Sequence, residues 1–166
     1  MKKRILKVIV GTSLSIVALA TFAQVWASAQ VDTGNGLVGS WDVTVTPRIC
    51  ETGDPAPFPP PFAAIQTYNQ GGTMLASVQG LPGDPFTRIG GDGVWTQSRG
   101  RGYSIAFRVF KFNPDGTSAG KDVIRDVIKL EADGNTYTST GTVEIYDPAG
   151  NLVFTGCATS AATRFK

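Results

Sequence analysis

The most constraining feature of this sequence is a series of eight strand-length segments, joined by turns and loops rich in Gly, Pro, Asn and Asp. Trp41–Val45 alternates apolar and polar residues, which is the period of a half-buried strand. Eight antiparallel strands are enough to close into a barrel that leaves no sheet edge exposed. The sequence therefore predicts an all-β protein, an eight-stranded antiparallel up-and-down β-barrel. The predicted strands are Trp41–Cys50, Phe62–Asn69, Thr73–Gln79, Gly93–Arg99, Tyr103–Asn113, Lys121–Glu131, Thr136–Tyr146 and Leu152–Phe165.

One predicted strand, Lys121–Glu131, also has features of a helix. Its residues Val123, Ile124, Val127 and Ile128 recur at helical spacing. We favour a strand because the segment lies between two turn signals and is rich in β-branched residues, which pack well on a pleated sheet.

The first 29 residues have the features of an export signal. Met1–Lys7 is basic, Val8–Ala20 is an apolar run too short to span a bilayer comfortably, and Ala27–Ala29 is a small-x-small cleavage site. We expect cleavage before Gln30, a β-barrel domain at residues 30–166, and no membrane span after cleavage. An uncleaved membrane anchor is the alternative.

The charge of the predicted mature domain argues against a nucleic-acid partner. Removing the four basic residues of the signal leaves 11 Lys and Arg against 13 Asp and Glu, a net charge of −2. A nucleic-acid-binding domain normally carries a basic patch and a basic net charge. We therefore expect no nucleic-acid partner.

Cysteine and histidine usage restricts the possible chemistry. Cys50 and Cys157 are the two cysteines, and the export signal places them in an oxidising compartment, where a disulfide is expected. The sequence has no histidine, so the usual zinc and haem ligand sets and the Ser-His-Asp arrangement are missing. We predict no metal, no cofactor and no catalytic residue, although a carboxylate or tyrosine remains available for acid–base work.

The predicted disulfide also suggests how the first and last strands pair. If Cys50 and Cys157 are directly opposed, Val43 lies opposite Arg164 and Val45 lies opposite Ala162. Trp41 and Arg164 then share one face of the sheet. A bulge at Pro47, which cannot donate to the ladder, is an alternative that shifts this register by one residue.

Gly39-Ser40-Trp41, at the opening of the first strand, resembles the Gly-x-Trp signature of lipocalins and the wider calycin group. Arg164 is similar to the basic residue that packs over that tryptophan in the family. The resemblance implies a lipocalin-like barrel that holds a small apolar molecule. Alternatively, Trp41 and Arg164 have only a structural role, plugging and capping one end of the barrel.

The barrel interior decides between a container and a solid core, and the sequence leaves both open. Small residues alternate along the last two strands and predict one thin wall, whereas Phe110 and several other aromatic residues either fill the space or line a pocket. The small residues are Ser139, Gly141, Gly156, Ala158, Ser160 and Ala162. The residues predicted to contact a ligand are Trp41, Tyr68, Trp95, Phe107, Arg108 and Tyr137.

Arg108 is included because charged strand residues are candidate anchoring or acid–base groups if they point inward. Arg108 is the first candidate because Phe110 and Phe112 share its parity. Charged strand residues are usually solvated on the outer face, which is the preferred interpretation for all of them, and the inward orientation is the alternative. The other charged candidates are Asp122, Arg125, Asp126 and Glu144.

Two loops rich in proline and glycine, Glu51–Pro61 and Gly80–Asp92, are expected at the same end of the barrel. They either form a lid with Phe58 and Phe86 over its mouth or act as stiff surface connectors.

Three functions follow from these observations. The preferred one is a secreted or periplasmic barrel that binds a small apolar ligand, as a carrier or sequestering protein. The second is a cofactorless barrel enzyme, a cyclase or isomerase similar in architecture to allene oxide cyclase, in which positioning supplies much of the catalysis. The third is a structural or interaction protein with a solid core.

Overall fold

A computed structural model describes residues 36–78 and 83–166, which form a closed antiparallel barrel in which each strand pairs with the next and β8 pairs with β1. The predicted eight-stranded up-and-down barrel is confirmed. The predicted signal segment, residues 1–29, lies outside the described residues. The strands are β1 (Gly39–Arg48), β2 (Phe62–Tyr68), β3 (Thr73–Val78), β4 (Thr87–Gln97), β5 (Gly102–Phe112), β6 (Ser118–Leu130), β7 (Thr136–Tyr146) and β8 (Leu152–Arg164).

The ambiguous segment is a strand. β6 pairs along its length with β5 and with β7. Nowhere in residues 36–78 and 83–166 is there a helix with the length and apolar character needed to cross a membrane.

β4 begins at Thr87, earlier than the predicted start at Gly93. Thr87 lies opposite Phe112 of β5, so part of the predicted Gly80–Asp92 loop is strand. The register between β4 and β5 shifts between Ile89 and Asp92. This bulge interrupts the alternation of side chains, which is why the pattern was not visible in the sequence.

The predicted register between β1 and β8 is wrong by two residues. Arg164 lies opposite Trp41 rather than Val43, and Ala162 lies opposite Val43 rather than Val45. The disulfide between Cys50 and Cys157 does form, with 5.2 Å between the two Cα atoms. It joins the strands diagonally, because Cys157 is paired with Arg48 and Cys50 follows the end of β1. A shift of two residues leaves every side chain on its predicted face.

The two ends of the barrel differ. We call the end with loops 69–72, 98–101 and 131–135 the closed end, and the opposite end, with loops 49–61, 113–117 and 147–151, the open end. Side chains that are less than 2% exposed fill the interior towards the closed end. They are Trp41, Tyr68, Tyr137, Leu37, Met74, Ile128 and Leu130.

Arg164 packs at the closed end. Its guanidinium donates hydrogen bonds to the carbonyl oxygens of Gly36, Val38 and Gly134 at distances of 2.5 to 3.0 Å. The same group stacks over Trp41, whose Nε1 donates to the carbonyl of Leu37 at 2.9 Å. Arg164 therefore holds the segment before β1 and the loop before β7 against the end of β8.

Candidate functional site

The half of the barrel towards the open end contains a cavity of about 260 Å³. The interior is therefore packed towards the closed end and hollow towards the open end. The apolar residues that line the cavity include Val45, Phe62, Phe107, Val109, Ile124 and Val143. Gly156, Ala158 and Ser160 contribute the thin wall that the sequence predicted on β8.

The loop between β1 and β2 lies at the mouth of this cavity. Ala56, Phe58 and Pro59 are among the lining residues, and the backbone N–H of Ala56 donates to the carbonyl of Pro47 at 2.9 Å, which ties the loop back to β1. Phe58 therefore lies at the mouth, where its side chain is 66% exposed, and a lid formed by this loop stays a prediction. Phe86 is not among the described lining residues and lies instead with its ring 5.6 Å from Nζ of Lys111.

Gln66 connects the cavity to the packed half of the barrel. Its side chain lines the cavity, and its Oε1 accepts hydrogen bonds from the hydroxyls of Tyr68 at 2.5 Å and Tyr137 at 2.6 Å. Burial raises the pKa of both tyrosines above the usual range, so both hydroxyls remain protonated and act as donors. These bonds fix the position of the Gln66 amide on the cavity floor.

Asp126 is a carboxylate in the wall of the cavity. Its Oδ2 accepts a hydrogen bond from the hydroxyl of Ser139 at 3.1 Å. Burial raises the pKa of Asp126 to about 6, because a carboxylate loses hydration there, and the bond from Ser139 opposes the shift. None of the ion pairs formed within residues 36–78 and 83–166 includes Asp126.

Four charged side chains beside the cavity form a cluster in which the positive and negative charges compensate one another. Nζ of Lys111 lies 2.7 Å from Oδ1 of Asp122, and Nε of Arg88 lies 3.8 Å from Oδ2 of the same carboxylate. Arg88 also forms an ion pair with Asp84. Two cations and two carboxylates therefore compensate one another, as buried charges require.

The predicted ligand contacts are distributed between the two halves of the barrel. Phe107 lines the cavity. Trp41, Tyr68, Trp95 and Tyr137 pack against one another in the closed half, with centroid distances of 4.9 Å for Trp41–Tyr137 and 6.4 Å for Tyr68–Trp95. They support the cavity floor, and contact between these four rings and a ligand stays a prediction.

The expectation that Arg108 points inward is wrong. Its side chain is 55% exposed and pairs with Asp92 on the outer face at 3.2 Å. Phe110, used to argue for the inward orientation, is itself 41% exposed. The odd-numbered residues of β5 face the interior, whereas Arg108 and Phe110 are even-numbered. The buried apolar residues of this strand are Tyr103, Ile105, Phe107 and Val109. Arg125 and Glu144 likewise form an outward pair, at 2.8 Å.

Sequence reasoning missed Gln66, Arg88 and Lys111, and it did not distinguish Asp126 and Asp122 from the solvated charges. A signal for the two aspartates was present. They share the parity of Ile124, Ile128 and Leu130 on β6, which is the face that a strand turns to the core. Arg88 lies before the bulge in β4, so parity counted from the rest of that strand assigns it to the wrong face.

The described part of the chain holds no group of three or more His, Cys, Asp or Glu side chains placed to bind a metal ion. Comparison with known proteins found neither a family model nor a curated protein that matches this sequence.

Proposed function

We propose that this protein binds a small, mainly apolar molecule in the open half of its barrel, as a carrier or sequestering protein. The observation that carries the proposal is the cavity of about 260 Å³ with its mainly apolar lining. Ligand sites are typically concave, mostly apolar and provided with a small number of convergent polar groups. Gln66, Ser160 and Asp126 are such groups here.

The volume indicates the size of the ligand. The cavity, at about 260 Å³, lies between an apolar cavity of about 150 Å³ that holds one benzene molecule and the roughly 300–1,000 Å³ of drug-sized sites. We expect a ligand larger than one aromatic ring and smaller than a typical drug, such as a bicyclic compound.

The proposed location is outside the cytoplasm, as a secreted or periplasmic protein. The Cys50–Cys157 disulfide supports this location, since such bonds persist in oxidising compartments.

The fold supports the binding proposal through the family resemblance. The closed eight-stranded barrel is consistent with the lipocalin-like resemblance of Gly39-Ser40-Trp41.

A cofactorless enzyme is the second candidate, and Asp126 favours it. A general base works best when its pKa is close to the working pH, and burial raises the pKa of Asp126 to about 6. The fixed amide of Gln66 faces the same cavity and offers a polar group to orient a substrate. The hollow open half argues against the third function, a protein with a solid core.

Equilibrium dialysis with ethylnaphthalene, a neutral bicyclic probe, tests the binding proposal. Ala158 lines the cavity, whereas Ala161, on the same strand, is exposed on the outer face. We expect saturable binding by the wild-type protein, loss of binding in Ala158→Leu and retention in Ala161→Leu. Equal binding by both variants, or no saturable binding by the wild-type protein, would contradict the proposal.

A further inference from the structure

We infer that the cavity ligand carries a protonated amine and that Asp126 is its counter-ion. The inference rests on the proposed binding function and names the chemical class of the ligand. It begins from a carboxylate in the wall of the cavity that has no ion-pair partner among the described residues. Arg48 also lines the cavity, and its Nε donates to Oγ1 of Thr159 at 2.9 Å rather than to Asp126. Arg88 and Lys111 are compensated by Asp84 and Asp122, whereas none of the ion pairs of the described residues compensates Asp126.

The local structure leaves space for this carboxylate and keeps one of its oxygens available. Asp126 lies opposite Gly141 on β7, where a Cβ atom would collide with Oδ1 of Asp126 and with the carbonyl oxygen of Arg125. Ser139 is the hydrogen-bond partner of the carboxylate among the described side chains, and it donates to Oδ2. Oδ1 is therefore available to a donor on the ligand.

An ammonium group complements this position better than a neutral donor. The uncompensated carboxylate is costly among apolar side chains, and burial accordingly raises its pKa. A bound cation offsets that cost and forms a charge-assisted hydrogen bond, which is stronger than a neutral one. The apolar part of the ligand then packs against Phe107 and Val109. A small hydrophobic amine therefore complements both the carboxylate of Asp126 and the apolar lining of the cavity.

The charge of Asp126 determines how the affinity changes with pH. The other ionisable groups that line the cavity or face the interior lie on seven strands. They are Arg48 on β1, Tyr68 on β2, Arg88 on β4, Tyr103 and Lys111 on β5, Asp122 on β6, Tyr137 on β7 and Arg164 on β8. Burial keeps Tyr68 and Tyr137 protonated, and the Arg88–Lys111–Asp122 group is internally paired. Affinity for an amine is therefore expected to fall as Asp126 becomes protonated, below about pH 6.

Four naphthalene probes with different polar ends test the inference by equilibrium dialysis. They are naphthylmethylamine, ethylnaphthalene, naphthylmethanol and naphthylacetic acid. We expect the amine to bind about tenfold more tightly than ethylnaphthalene at about pH 8, because only the amine forms a charge-assisted hydrogen bond with Asp126. The preference should disappear in Asp126→Asn and persist in Asp92→Asn, a control in which an exposed aspartate of the outer face loses its charge. The preference for the amine should also diminish in the wild-type protein at about pH 5, where Asp126 is mostly protonated.

The remaining outcomes contradict either the counter-ion assignment alone or the binding function as well. Equal binding of the amine and ethylnaphthalene, or a preference that survives in Asp126→Asn, overturns the counter-ion assignment and leaves the binding function standing. Tighter binding of naphthylmethanol than of the amine overturns it in favour of a neutral donor. Failure of all four probes to bind overturns the binding function as well. The pH comparison uses the wild-type protein, so it does not depend on whether the variant folds.

Discussion

The guanidinium carbon of Arg164 lies 4.3 Å from the centroid of the Trp41 ring, and the two residues are directly opposed across the β1–β8 pairing that closes the barrel. This contact joins the first and last strands at the closed end. The Cys50–Cys157 disulfide joins the same two segments towards the open end. The closure of the barrel is thus secured at both ends, and the cavity lies in its open half.

Replacing Arg164 with lysine is expected to destabilise the protein by about 2–3 kcal/mol, because lysine keeps the charge and loses the planar group that reaches three carbonyl oxygens. Urea denaturation measures this change. Arg108→Lys is the matched control, since Arg108 forms an exposed pair with Asp92, and a change below about 1 kcal/mol is expected there. Equal effects of the two substitutions would show that the Arg164 contacts do not stabilise the closed end.

Replacing both Cys50 and Cys157 with serine should lower the free energy of unfolding by about 2–5 kcal/mol, because the cross-link encloses a long loop and restricts the unfolded chain. The two cysteines are 107 residues apart in the sequence. Urea denaturation of the variant and of the wild-type protein, with and without reductant, measures the difference. Reductant should affect only the wild-type protein, and a variant as stable as the oxidised protein would contradict the prediction.

Gly141→Ala is expected to displace Asp126 and the adjoining backbone of β6, because the added methyl group collides with Oδ1 of that carboxylate and with the carbonyl oxygen of Arg125. We predict a loss of about 1–3 kcal/mol in stability from overpacking and a larger loss of affinity for naphthylmethylamine than for ethylnaphthalene. Gly90→Ala is the control, since a Cβ there meets only the carbonyl oxygen of Ala76, at an ordinary 3.5 Å. Unchanged amine affinity in Gly141→Ala would contradict the predicted position of the carboxylate.

Asp126→Asn should increase stability at neutral pH. The pKa of Asp126 rises from 3.8 to about 6 on folding, so the folded state binds the proton more tightly than the unfolded state. The contribution of Asp126 to the free energy of unfolding therefore decreases as pH rises from about 4 to about 7. We expect the variant to be more stable by on the order of 2 kcal/mol at about pH 7.

The difference between Asp126→Asn and the wild-type protein should vanish at about pH 3, below the ordinary pKa of 3.8, because Asp126 is then neutral in the folded state and mostly neutral in the unfolded state. Denaturant titrations at the two pH values measure it, with Asp92→Asn as the exposed control. A variant that is less stable than the wild-type protein at neutral pH would show that the ionised carboxylate stabilises the fold.

Several of these residues show which features were accessible from sequence. The strand Lys121–Glu131 was identified from its β-branched residues and flanking turns, and the small cavity-lining residues Gly156, Ala158 and Ser160 of β8 from simple alternation. The orientation of Arg108 was assigned wrongly because both parities of β5 carry large apolar side chains. The position of Arg88 was missed because the β-bulge between Ile89 and Asp92 reverses the alternation within β4.

By itself, the sequence determined the number of strands, their antiparallel order and the disulfide pairing, because turn residues, period-two alternation and a single pair of cysteines are properties of short segments or of composition. Only the tertiary structure decided that Trp41 pairs with Arg164, that the closed half is filled while the open half is hollow, and that Asp126 lies in the cavity opposite Gly141. These features depend on how side chains from distant strands share one interior, and no local pattern specifies that packing.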